Sequence, residues 1–315
     1  MADLSRREFA ALAAAVAAAP LAVNRTAAGA AVTAQDLFDR IKQNIGVEWK
    51  AETLDGIKAG DPSTVVTGVV TTSMATLAVL QQAVKAGANL VITTHPTFYA
   101  RTDATTPPAG RRAGGGPASA GQNPAAPSAP QVVDPVFTAK NDFIAKNKFV
   151  VFRLTDHWRL RHPDPRAHGI ATALGWTKRP VSGDPTRVEI PEVTLASLVD
   201  DVTKGLNVRG GIRVIGDPQT RVQRVGLLPG STPIQVALQS FPAVDALVAG
   251  EVREWESAEY ARDKVFAGDK KALILVGRVV SEEPGMEVCA SWLKAFVPEV
   301  PIRHVAAGDP YWRPA

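Results

Sequence analysis

The stretch Leu90-Val91-Ile92-Thr93-Thr94-His95-Pro96-Thr97-Phe98 decides how this chain is read. An apolar run of strand character ends abruptly in the polar knot Thr-Thr-His-Pro. Open α/β sheets gather ligands just beyond the carboxyl ends of their strands. Pro96 cannot donate to a sheet ladder, so it stops the strand and aims the loop. His95 is thereby placed to do chemistry. A metal-binding strand end would gain from a second histidine at position 94, and Thr94 stands there instead.

Working outward, strand-like and helix-like segments alternate. Val65–Thr72 reads as a strand, Ser73–Ala86 as a helix with Ser73 as its N-cap, and Asn89–Thr93 as a strand. Asp134–Lys146 is a helix, Phe149–Leu154 a strand and Arg166–Leu174 a helix. The second half gives strands Arg187–Ile190, Ile212–Ile215, Arg221–Leu227, Ala246–Ala249, Ala272–Val276 and Ile302–Val305. Its helices are Thr194–Leu206, Thr232–Phe241, Glu254–Asp263 and Pro284–Phe296. Repeated alternation with continuous apolar strands predicts an α/β fold with largely parallel or mixed sheets flanked by helices. The punctuation predicts two lobes, 35–178 and 186–315, the C-terminal part of the second contributing to a shared site.

Residues 1–34 read as an export signal and tether. Arg6-Arg7 sits directly before the uncharged run Ala10–Val23, followed by small residues, the pattern of a twin-arginine signal. This predicts an exported, periplasmic or extracytoplasmic protein. Residues 101–133 are rich in Pro, Gly and Ala and cannot bury enough apolar surface to order themselves, so they read as a disordered surface loop. A net charge of +4, scattered along the chain, argues against nucleic acid. No segment is long enough for stable membrane insertion. The single cysteine, Cys289, excludes an internal disulfide and reads as a small buried apolar residue.

Four strand ends carry polar residues. They are Thr93-Thr94-His95, Thr155-Asp156-His157-Trp158-Arg159, Gly250-Glu251 and Gly277-Arg278 through Ser281-Glu282. His, Asp-His, Glu and Glu at converging strand ends form an oxygen-and-nitrogen set suited to Mn, Fe or Zn. His162, His168 and His304 read as turn or strand residues, and Trp158, Trp255 and Trp292 as packing anchors.

The order and spacing of several pieces resemble the NIF-three-like proteins, the dinuclear-metal-centre family related to the interacting factor three of yeast. The carriers are Gly68–Thr72 with its following helix, Gly87–Pro96, Gly250-Glu251-Val252, Gly277-Arg278 with Ser281-Glu282, and the helix from Pro284. The resemblance covers Asp36 to the C-terminus apart from the 101–133 loop. It implies a two-lobed fold and a ring-shaped homo-oligomer, often a hexamer. Some relatives are described as a type of GTP cyclohydrolase, an activity not carried over to a chain with these ligands altered. The family's paired histidines fall on Thr94 and His95, and its glutamate on Glu282. Its aspartate falls near Arg159, with Asp156 and His157 close by, and its C-terminal histidine on Arg278. Arginine stays protonated and cannot ligate a cation.

Three readings of the pocket stay open. In the first, one divalent ion is held by His95, Glu282 and either Asp156 or His157, and activates water for hydrolysis of an unknown substrate. In the second, no metal is bound; Arg159 and Arg278 supply fixed positive charge, pairing with Glu282 and Glu251 or holding a small anionic ligand beside Thr94. In the third, these residues form a satisfied polar core at a subunit interface. The leading function is thus a metal-dependent hydrolase or metal-binding protein, and its rival a non-catalytic anion- or ligand-binding scaffold.

Overall fold

The apolar runs form the centres of two sheets. In the first, β2 (Val69–Thr72), β3 (Leu90–Thr93) and β4 (Val150–Arg153) are buried along their whole length. Strands covered on both faces by helices need such unbroken apolar runs. These three pair in parallel, β11 (Ile302–His304) adds in parallel beside β2, and β1 (Gly56–Ala59) closes the other edge antiparallel to β4. The second sheet has the spatial order β5 (Pro180–Val181), β6 (Asp184–Thr194), β8 (Arg221–Ser231), β9 (Ala246–Glu251), β10 (Ala272–Leu275), β7 (Arg213–Ile215). Its centre, β8–β9–β10, is parallel and its outer pairs are antiparallel. The expected α/β architecture with mixed sheets is therefore what the chain adopts.

This computed structural model describes residues 31–101, 103, 134–181 and 184–312. All but Ala31 belong to one unit, Val32–Ala315. The export-signal stretch and most of the 101–133 loop lie outside the described residues. Two residues of that loop are described, and Asp103 is not on the surface as expected: it is buried against Arg153. No helix among the described residues is long and apolar enough to cross a membrane.

The helices are α1 (Ala34–Asn44), α2 (Leu77–Lys85), α3 (Pro135–Lys146), α4 (Asp156–Leu160), α5 (Pro165–Ala173), α6 (Leu195–Gly205), α7 (Ile234–Ser240), α8 (Glu259–Phe266) and α9 (Arg278–Lys294). The sequence reading did not include α1. Thr33 and Asp36 start it with a reciprocal capping box, and Leu37 and Ile41, four apart, bury its inner face. Ser73 does not cap α2; the helix begins later, and the Thr76 side chain accepts the N–H of Val79 at 3.2 Å. The Ser73 hydroxyl donates instead to Glu283 at 2.6 Å. The helix expected over Glu254–Asp263 opens with a π turn, Glu254–Ala258, before α8.

The largest correction concerns α9. It starts at Arg278, not at Pro284, and runs through the proline. Pro284 forfeits a helical hydrogen bond and costs about 3 kcal/mol. Burial of Met286, Cys289 and Leu293 on the same helix contributes more, at about 1.5–3 kcal/mol for each large side chain. Arg278 and Glu282 therefore sit one turn apart on a helix rather than along a loop.

Two close approaches set that helix in place. A Cβ on Gly285 would lie 2.8 Å from the Cα of Arg166, so α5 and α9 cross backbone to backbone. The Ser281 hydroxyl accepts the N–H of Gly230 at 2.9 Å and donates to the Arg278 carbonyl at 2.7 Å, tying α9 to β8. One core joins Leu37, Ile41, Ile92 and Phe152 to Met286, Cys289, Leu293 and Ile302. A second gathers Ile170, Leu198, Val225, Val248 and Ile274 beneath the other sheet. The chain's last helix and strand thus return to the first sheet, across the boundary drawn at 178–186.

Candidate functional site

A cavity of about 610 Å³ opens where β2, β3 and β4 end. Met74 lies just past β2, Thr94 and His95 just past β3, and Thr155, Asp156 and Arg159 just past β4. Arg278, from the first turn of α9, enters from the second sheet's side. This is the crevice that strand-end logic anticipates, and four of its lining residues are arginines: Arg101, Arg153, Arg159 and Arg278.

The centre of the site is Glu282. Its side chain is 0% exposed, and His95 Nε2 donates to Oε2. Arg159 Nη2 donates to Oε1 at 3.2 Å, and Arg166 Nη1 lies 3.5 Å from the same oxygen. A Cβ on Gly230 would meet Oε1 at 2.5 Å, so backbone seals that flank, and Gly230 has φ +80°, where a side chain is strained. Burial pushes the Glu282 carboxyl up, but the His95 hydrogen bond and charge, then Arg159 and Arg166, outweigh it and hold the group at about 2. Burial and the neighbouring Arg166 lower the Arg159 pKa, with Glu282 opposing them. Beside this cluster, Arg278 Nη1 donates to Glu251 Oε1 at 2.9 Å. Thr94 donates its hydroxyl to the Ser73 carbonyl at 3.2 Å.

Asp156 and His157 part company. Asp156 lines the cavity, where its Oδ2 accepts from the Leu54 N–H at 2.8 Å and the Thr53 hydroxyl at 3.0 Å. Burial raises its pKa, but those hydrogen bonds and the nearby Arg153 and Arg159 hold it below its ordinary value. His157 faces the other way. Its Nε2 accepts the Lys50 N–H at 2.9 Å, its Nδ1 donates to Asp55 at 2.8 Å, and its ring stacks on Trp49 at 3.9 Å between centroids. Both ring nitrogens are committed, so no lone pair is left for an ion. The structure brings Thr94, His95, Asp156, Arg159 and Arg278 to the lining of one crevice, holds Glu282 buried behind His95 and Arg159, sets Glu251 on the far side of Arg278, and places His157 in the core.

Several contributors escaped the sequence reading. Asp55 caps α4: its carboxylate accepts the N–H groups of Thr155, Asp156 and His157 at 2.5, 2.9 and 2.9 Å. That cap fixes the helix from which Arg159 reaches Glu282. Arg153 donates to the Arg101 carbonyl at 2.6 Å and to Asp103 at 2.8 Å, holding one wall. The signal for Arg153 was a charged residue closing an otherwise apolar run.

The donor set does not fit a divalent ion. Among the described residues, no group of three or more His, Cys, Asp and Glu side chains is placed to hold one. Glu282 spends one oxygen on His95 and the other on two guanidiniums. A cation there would face Arg159 and Arg166 at close range. What the crevice has in excess is hydrogen-bond donors. The Nε atoms of Arg153, Arg159 and Arg278 are all buried and have no hydrogen-bond partner among the described residues.

The family model for Duf34/NIF3 (NGG1p interacting factor 3) matches residues 32–113 and 163–308. Among solved structures, a hypothetical protein of Staphylococcus aureus, SA1388, is 15% identical with a TM-score of 0.64, over 89% of this chain and 99% of its own. A Bacillus cereus protein related to NIF3 is 14% identical with a TM-score of 0.64, over 90% and 99%. Thermus thermophilus TTHA1606 is 13% identical with a TM-score of 0.59, over 89% and 99%. At such identities the likeness concerns the fold. None of the curated proteins matches the chain.

Proposed function

The chain belongs to the Duf34/NIF3 family, and from that premise we propose that its strand-end crevice binds a small anionic ligand through arginines rather than a divalent metal. The observation that carries this reading is the lining of one cavity by four arginines, Arg101, Arg153, Arg159 and Arg278, with Asp156 the one acidic residue among them. Guanidinium geometry suits phosphate and carboxylate oxygens alike. Glu282 and Glu251 each engage a single Nη atom, of Arg159 and Arg278, which leaves further N–H groups of those guanidiniums for a ligand.

The rival reading places one ion on His95, Glu282 and Asp156 or His157, with a hydrolytic water. It has less support, because His157 is turned away and both Glu282 oxygens are already engaged. Two further expectations accompany the anion-binding reading. Export through the twin-arginine route is supported by Arg6-Arg7 before Ala10–Val23, and a homo-oligomer by the sequence resemblance alone. Cell fractionation and light scattering test these.

Calorimetric titration with inorganic phosphate and with acetate tests the anion site. Binding tighter than about 1 mM is expected. Arg278→Ala or Arg159→Ala should weaken it about ten- to a hundredfold, the worth of one charged hydrogen bond. Absence of binding, or indifference to both substitutions, overturns the proposal. So does an elemental assay that finds close to one ion per chain in untagged protein grown with Mn, Fe and Zn.

A further inference from the structure

We propose that the arginine pocket is the head-group half of a longer site whose ligand is an amphiphile: a phosphate- or carboxylate-bearing head on a short apolar tail. This rests on the anion-binding reading above and extends it to the rest of the molecule.

A second cavity, about 460 Å³, adjoins the first, and Met74 and Arg278 line both. The first cavity sits at the carboxyl ends of one sheet's parallel strands, and the second at those of the other: Gly250 and Glu251 end β9, and Leu275 ends β10 with Val276 just past it. Each volume lies within the ordinary range for small-molecule sites, and a ligand crossing the shared wall would touch both sheets.

The two halves differ in chemistry. The first is lined by four arginines and Asp156; Arg153, Arg159 and Arg278 pair with Asp103, Glu282 and Glu251 and keep further N–H donors on the same guanidiniums. The second is walled by Leu275, Val276, Val279, Val280, Pro310 and Tyr311, with glycine backbone between them. Its charges are compensated: Glu251 pairs with Arg278 at 2.9 Å, and Arg213 with Glu254 at 2.5 Å. Asp309 too is engaged. A second charged group entering here would find no excess charge of opposite sign, whereas methylenes would find apolar side chains. A Cβ built on Gly277 meets nothing within 4 Å, so the floor between Val276 and Arg278 is open. The asymmetry fixes the ligand's direction, with its head at His95 and Arg159 and its tail past Arg278 toward Val279.

The test is a homologous series read by calorimetry: inorganic phosphate, then methyl, butyl, hexyl and octyl phosphate below their aggregation limits. Affinity should tighten by up to about fourfold for each methylene that enters the cavity, the equivalent of ~0.8 kcal/mol each, and then level off. Val279→Trp, which fills the cavity, should flatten the series. Should that variant fail to fold by circular dichroism, Tyr311→Ala, at an exposed position, removes part of the wall and should shallow the slope. Phosphate binding without any gain from the tail overturns this proposal and leaves the anion site standing. A gain that persists unchanged in the blocking or wall-removing variant overturns it as well. If phosphate itself fails to bind, both fall.

Discussion

Replacing Glu282 by glutamine tests whether one carboxylate organises the arginine cluster. The side chain is 0% exposed and touches His95, Arg159 and Arg166. Its pKa falls from 4.5 to about 2 on folding, although burial works in the opposite direction. The gap between those two values corresponds to ~3 kcal/mol of stability. That agrees with about 3–5 kcal/mol for breaking a buried ion pair. Because the folded value lies below the unfolded one, the contribution is complete above about pH 4.5 and is lost as pH falls through about 2. Glutamine keeps the shape without the charge. In urea unfolding at pH 7, Glu282→Gln should be ~3 kcal/mol less stable than the parent chain. The deficit should narrow below pH 4.5 and close near pH 2. A deficit under ~1 kcal/mol at pH 7, or one that stays constant down to pH 2, refutes the reasoning.

Other contacts carry measurable consequences of their own. Asp55→Ala strips three backbone donors and His157 of their acceptor. It should cost ~3 kcal/mol by thermal unfolding, with Asp55→Asn recovering part of that. Gly285→Ala forces a Cβ to within 2.8 Å of the Arg166 Cα; a loss of ~1–3 kcal/mol and weaker anion binding are expected. Thr76→Ala should cost ~1 kcal/mol through the lost cap, read as reduced helix stability, and Ser73→Ala should leave that cap intact. Cys289 is 0% exposed and burial pushes its thiol pKa up, so native protein should not react with an aromatic disulfide reagent on the timescale of minutes. Rapid labelling without unfolding would contradict that burial.

The sheet centres were legible because a strand buried on both faces favours an unbroken apolar run, as in Leu90-Val91-Ile92 and Val150-Val151-Phe152. Helix starts marked by a local cap, Thr194 and Asp134, were legible for the same reason: the signal and its target are neighbours. α9 was not, because Pro284 is locally a start signal and only long-range burial overrides it. At the site, His95 and Glu282 meet across 187 residues, a contact that spacing alone does not encode. Asp156 and His157 are adjacent in sequence and were paired as candidates. The short helix α4 places consecutive residues on different faces, so one lines the crevice and the other turns into the core. Asp55 carried no pattern at all; its role exists only once α4 has been folded against it.

The return of α9 and β11 to the first sheet bears on how the molecule is made. Met286, Cys289, Leu293 and Ile302 cover Leu37, Ile92 and Phe152, residues that leave the ribosome some two hundred positions earlier. During synthesis the early half has its strands but not its lid, with apolar surface and the β2 edge uncovered. Domains commonly fold N-terminal first as they emerge, but here that order is blocked by connectivity, and closure waits for nearly the whole chain. The large sequence separation of those contacts predicts slow folding, and a newly made chain would lean on chaperones for the interval between its first strand and its last.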